Sequence, residues 1–253
     1  MSKLNITFVG HATFLIDFFG ARFLTDANFS KKVLFVPRQQ EPGINPRELP
    51  DLDAMFITHA HYDHLDLFSY KYFSLKTPLI VPLGLGKFIK KHLPNPVIEI
   101  PTWGEVQVGD LRIFSIPVKH RSFRLSGLAW RDITGYVIEK NGYKILFPGD
   151  TAYGDHFKQI ANLHQIDVAL LPIGAYEPRW IMKNRHMNPS DALKAFQDLK
   201  AKYFIPYHFG AFRISTEALE EPLYHFEKLC KNESENAIHV LKPGERFECP
   251  SKI

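Results

Sequence analysis

Short apolar runs broken by Gly, Pro and Asn recur along the chain, at residues 4–9, 13–18, 55–58, 79–81, 111–118, 143–147, 168–172 and 203–206. Runs of this length, rich in β-branched and aromatic residues, predict strands. Between them, patterns with helical spacing cover residues 84–93, 153–163, 189–203 and 217–231. The third is the best specified. Asn188 can cap its N-terminus, Pro189 suits the first turn, and Ala192, Leu193, Phe196 and Leu199 fall on one face that needs a sheet to pack against. The result is a mixed α/β chain, with strands and helices in both halves and no Ser/Gly-rich linker between them. It is therefore read as one domain over residues 1–253, an αββα sandwich.

Composition narrows this further. With 253 residues, 45% hydrophobic and 23% charged, the chain can bury a large core, which excludes disorder. The net charge of +4 is dispersed rather than gathered into a basic face or arm, so an anionic small molecule suits it better than nucleic acid. Asn5, Gly10, His11 and Asp17 break up what would have to be a signal-peptide core, and no run of about 18 apolar residues could span a membrane. Two cysteines, Cys230 and Cys249, have no metal-ligand spacing and predict a reducing, cytoplasmic setting. The stretch from Lys31 to Arg38, basic at its ends and apolar between, is the one candidate for peripheral membrane contact. Oligomeric state is not legible.

The chemistry concentrates after the strand predicted at residues 55–58. There the chain reads His59-Ala60-His61-Tyr62-Asp63-His64-Leu65-Asp66, which puts three imidazoles and one carboxylate in six residues. These are donors suited to zinc. An extended step sends His59 and His61 to one side, and the turn that follows can swing Asp63 and His64 toward a second ion. His120, Asp150 and His208 each come just past a predicted strand, where α/β proteins gather functional groups.

Taken together, these residues resemble the signature of the metallo-β-lactamase superfamily, a His-x-His-x-Asp-His run followed by a His, a Gly-Asp and a late His. The resemblance implies the four-layer αββα sandwich and two metal ions, zinc with Mn2+ or Fe2+ as alternatives. His59, His61 and His120 would hold one ion, Asp63, His64 and His208 the other, and Asp150 would bridge them. A hydroxide between the metals would be the nucleophile. Within the superfamily the chain is most similar to the N-acyl-phosphatidylethanolamine-hydrolysing phospholipase D group. Gly10-His11-Ala12-Thr13, Leu24-Thr25-Asp26, Gly149-Asp150-Thr151 and the long Pro172-Ile173-Gly174-Ala175-Tyr176-Glu177-Pro178-Arg179-Trp180 carry that likeness, continued by His186-Met187-Asn188-Pro189.

That likeness implies a metal-dependent phosphodiesterase acting on a small-molecule or lipid phosphodiester. Asp63 and His186 are its catalytic candidates, with His186 binding phosphate or protonating a leaving group. His11, Arg179 and Trp180 are the substrate-binding candidates, Arg179 alternatively forming a local ion pair with Glu177. Asp26 would orient a ligand imidazole. The chain departs from the group after His120, where Arg121-Ser122-Phe123-Arg124 and then Ala129-Trp130-Arg131-Asp132 replace the usual Trp and Leu-Trp-Gly-Gly, and it lacks the animal enzymes' N-terminal extension. A lactonase acting on a sugar phosphate or related ring ester is the alternative, since relatives share the metal set. A nuclease ranks below it, and a closed zinc-stabilised binding module is disfavoured because structural zinc seldom uses so many donors.

Overall fold

The computed structural model describes residues 3–124, 128–129, 133–231 and 237–252. Two sheets face each other. The first has seven strands in the order Arg246–Glu248, Leu4–Gly10, Thr13–Phe18, Ala21–Thr25, Ala54–Phe56, Leu79–Pro82 and Val97–Ile100. The second has six, in the order Tyr203–Tyr207, Val168–Pro172, Tyr143–Phe147, Gly135–Lys140, Leu111–Ile116 and Glu105–Val108. Each begins as an antiparallel meander and continues as parallel strands. The two sheets thus repeat one plan.

The two-residue period of a strand divides the apolar side chains between layers. Ile145 and Phe147 point into a core shared by both sheets, while Leu146 between them points outward. Phe56 joins the inter-sheet core, and Met55 and Ile57 face the other way. Rings from both sheets, including Phe8, Phe14, Phe18, Phe23, Phe56, Tyr136, Phe147 and Tyr207, fill the space between them. Outside the second sheet, Leu146, Ala169, Leu171 and Phe204 pack against the helices His156–Leu163, Pro189–Leu199 and Glu221–Cys230. Outside the first, Met55, Leu79 and Val81 pack with Phe88 and Ile89 of the helix Gly86–His92. The layers run helix, sheet, sheet, helix.

Strands buried on both faces read as unbroken apolar runs, and Val168–Pro172, buried at every residue, is one of them. The helix predicted at residues 189–203 ends sooner, at Leu199. Lys200 takes a left-handed conformation (φ 51°), and Tyr203 already belongs to the next strand. Its start is as expected, with Asn188 and Asp191 forming a reciprocal capping box. The strand predicted at residues 111–118 stops at Ile116, before Pro117. Residues 32–37 form a short hairpin, Lys32–Val33 against Val36–Pro37, with Leu34 and Phe35 exposed at its tip. At its foot Arg38 is buried, donating to the Ser30 and Asn28 carbonyls and lying 4.4 Å over the Phe212 ring. Among the described residues no helix is long and apolar enough to cross a membrane.

Candidate metal centre

Strand ends converge on one cleft from both sheets. From the first sheet come His11, just past Leu4–Gly10, and the loop 59–64, just past Ala54–Phe56; from the second come His120, Asp150 and His208. The His208 N–H donates to the His11 carbonyl at 3.0 Å, tying the two edges together. Close backbone approach is needed at two glycines. A Cβ on Gly149, itself at φ 66°, would sit 2.6 Å from the Thr58 side chain, and one on Gly174 would lie 2.0 Å from the His208 carbonyl oxygen.

Besides two overlapping triads, Asp26 with His59 and His64 and Asp150 with His186 and His208, the donors fall into two sets of four, each with its atoms within 4.8 Å of one another. One contains His59, His61, His120 and Asp150, the other His11, Asp63, His64 and His208. Asp150 also reaches the second set, with its carboxylate 3.2 Å from His64 Nε2 and 3.1 Å from His208 Nε2. His186 Nδ1 lies 3.9 Å from the same carboxylate. The sequence candidates for metal binding are therefore all gathered in one place, and His11 lies among them rather than out along the cleft. Its Nε2 is 2.9 Å from Asp63 Oδ2.

Outer hydrogen bonds orient the rings. His64 Nδ1 donates to Asp26 Oδ2 at 2.6 Å, and Asp26 also accepts from the Thr58 N–H and hydroxyl, at 2.8 and 2.6 Å. With that hydroxyl proton committed, His59 Nδ1 donates to Thr58 Oγ1 at 2.9 Å. His120 Nδ1 donates to the Arg185 carbonyl at 2.8 Å. Three imidazoles thus have their Nδ1 protons placed, leaving the Nε2 lone pairs directed inward. There His59 Nε2 is 3.0 Å from His61 Nδ1, His120 Nε2 is 3.3 Å from the same atom, and His64 Nε2 is 3.2 Å from His208 Nε2. Each of these gaps matches either a ring N–H between two nitrogens or two donors on one tetrahedral ion, which at roughly 2.0–2.1 Å stand about 3.3 Å apart. Asp150 Oδ1, His11 Nδ1 and His186 Nδ1 are buried and make no hydrogen bond. The donor set fits a metal pair.

Electrostatics agree with that fit. Burial drives His59 and His61 below the usual imidazole range, and His120 down to about 4, so that they stay neutral and able to coordinate. Burial likewise lowers His11 to about 3, helped by His208, and depresses His186 strongly. Burial opposes ionisation of Asp63 and Asp150, but their histidine neighbours outweigh it and hold both carboxyls well below the usual range. His64 runs the other way: burial disfavours its charge, yet Asp150, Asp63 and Asp26 raise it well above the ordinary value.

A cavity of about 330 Å3 opens onto this cluster, lined by His61, Asp63, His120, Asp150 and His186 and walled by Arg121, Ser122, Arg185, Met182, Ala175 and Ile214. Arg179 and Trp180 are not among its lining residues. The Arg179 guanidinium bonds the Asp191 carboxylate and donates to the His186 carbonyl at 3.0 Å, and the Glu177 carboxylate meets Arg179 at its backbone N–H instead. The local Glu177–Arg179 ion pair is therefore replaced by one twelve residues apart. Trp180 is 78% exposed. Arg185, which motif reading passed over, stands in the wall instead. Residues 130–132, part of the stretch that departs from the phospholipase pattern, lie outside the described residues.

Known proteins match this picture. The family model for the beta-lactamase superfamily domain matches residues 21–209. An N-acyl-phosphatidylethanolamine-hydrolyzing phospholipase D 1 from Caenorhabditis elegans is 36% identical over 85% of this chain, which spans 66% of that relative's length. A UPF0173 metal-dependent hydrolase from Pyrococcus furiosus is 27% identical, covering 97% of this chain and 99% of its own. The crystal structure of a possible metal-dependent hydrolase from Veillonella parvula superposes with a TM-score of 0.81 at 15% identity, over 98% of this chain and 99% of that one. With its two facing sheets, outer helices and cluster of strand-end histidines and aspartates, the chain belongs to the beta-lactamase superfamily and has the metallo-β-lactamase fold.

Proposed function

We propose that this protein is a metal-dependent phosphodiesterase of phospholipase D type, holding two ions, most suitably zinc. The observation that carries the reading is that Asp150 belongs to one four-donor set and stands 3.2 and 3.1 Å from His64 and His208 of the other, at the floor of one open cavity with His186 beside it. His59, His61, His120 and Asp150 would hold one ion, and Asp63, His64, His208 and Asp150 the other. Bound there, the pair would supply acidified water and positive charge at the reacting centre.

The chain's own groups do the rest. Thr58, Asp26 and the Arg185 carbonyl fix the ligand imidazoles, while His11 holds Asp63 in place. His186, with a free Nδ1 facing Asp150, is placed to donate a hydrogen bond or proton to a phosphate or leaving-group oxygen. The phospholipase named by the 36% identical relative supplies the substrate class, a lipid or small-molecule phosphodiester.

The test is to load purified protein with zinc, measure metal content, and assay it against bis(4-nitrophenyl) phosphate, N-acyl-phosphatidylethanolamine vesicles and a panel of lactones. Turnover of the diesters with two ions per chain supports the reading. Hydrolysis of lactones with diesters untouched replaces it with the ring-ester alternative.

A further inference from the structure

An anionic substrate needs a cation that is not already spent. Arg179 is spent, on Asp191 and the His186 carbonyl. Two other arginines line the cavity, Arg121 and Arg185. Arg121 is exposed. Arg185 is half-buried and held at the backbone: its carbonyl accepts from His120 Nδ1 at 2.8 Å, and its own N–H and that of His186 donate to the Met182 carbonyl at 2.8 and 2.9 Å. The next residue but one, Met187, donates to the Thr151 carbonyl at 3.0 Å, so the segment is tied both to His120 and to the residue after Asp150.

The Arg185 side chain has no such ties. Among the described residues its guanidinium forms no hydrogen bond or ion pair. The two carboxylates that line the same cavity are turned to histidines instead, Asp63 to His11 at 2.9 Å and Asp150 to His64 and His208. A guanidinium left unpaired on a partly dry wall gains most from an incoming anion, and its planar fork matches two oxygens of a phosphate.

We infer that Arg185 is a specificity-determining residue, whose guanidinium holds non-bridging oxygens of a substrate phosphate and so selects phosphate esters over neutral carboxylic esters. The choice of a diester as substrate rests on the function proposed above, whereas the anion-binding assignment does not.

The experiment titrates inorganic phosphate into the zinc-loaded protein by calorimetry, for wild type, Arg185→Gln and Arg185→Lys, with metal content measured for each. Arg185→Gln should weaken phosphate binding about 10- to 100-fold, the range for a lost charge-assisted hydrogen bond. Arg185→Lys, which keeps the charge and loses the fork, should fall between. With bis(4-nitrophenyl) phosphate the same substitutions should raise KM by a similar factor and leave kcat within about threefold. Phosphate affinity in Arg185→Gln within about twofold of wild type, or no phosphate binding by wild type at millimolar concentration, would overturn the assignment. Arg185-dependent phosphate binding by a protein that cleaves no diester would instead refute the proposed function and leave the assignment standing.

Discussion

Replacing Asp26 by Asn tests the orienting network with almost no change in volume. Asp26 is fully buried, and its carboxylate accepts three protons, from the Thr58 N–H, the Thr58 hydroxyl and His64 Nδ1. An asparagine can still accept from the Thr58 N–H through its oxygen, but its NH2 then faces the His64 Nδ1 proton. Thr58 can rotate its hydroxyl; His64 cannot relieve the donor-donor contact without moving that proton to Nε2, the nitrogen needed for coordination. Losing a hydrogen bond to a charged acceptor costs about 1.5–3 kcal/mol. That converts to about 10- to 100-fold weaker binding at the set of Asp63, His64 and His208. The assay is competition with a fluorescent zinc chelator, which resolves the two ions by affinity. One ion should weaken by that factor and the ion on His59, His61 and His120 by a smaller one, because Asp26 reaches His59 only through the Thr58 hydroxyl. Equal weakening of both, or of neither, would refute the claim that Asp26 acts through His64.

Other expectations follow from the same site. Asp150→Asn should reduce turnover more than Asp26→Ala does, because it strips charge from both sets at once; equal losses, measured at saturating zinc, would deny Asp150 its shared role. His186→Ala should lower turnover by about 10²–10⁴-fold with metal content unchanged, and the defect should shrink for a nitrophenyl diester whose leaving group needs no proton; lost metal would make His186 a ligand instead. Metal-free protein should lose thermal stability as pH falls from 7.5 to 5. His11, His59, His61, His120 and His186 all have depressed folded values, so the stability they give is present above about 6.5 and is lost on the way down toward about 4 for His120. His64 and Asp26, both raised, oppose them. A melting temperature flat across that range would contradict the balance.

Much of this was legible in the chain. Four donors in six residues can only crowd together, and Asn188-Pro189 states where its helix begins. Other features depend on distance along the chain. Nothing local says that Arg179 will meet Asp191, which needs the turn between their two helices, or that His11 will meet Asp63 across 52 positions, which needs the folded first sheet. Reading by apolar runs also leaves out the strands Ala21–Thr25 and Gly135–Lys140. The second had a signal of its own. Asn141-Gly142, both at positive φ, is the two-residue turn that joins it to Tyr143–Phe147. The first is joined through Phe19 and Gly20, also both at positive φ, and a phenylalanine there gives no such warning.

The cleft lies on a seam, and its donors descend from both sheets. An ion held by His59 and His120, or by His64 and His208, would be a clasp across that seam, since separating the sheets would first require letting the ion go. Metal availability would then govern how long each molecule withstands proteolysis.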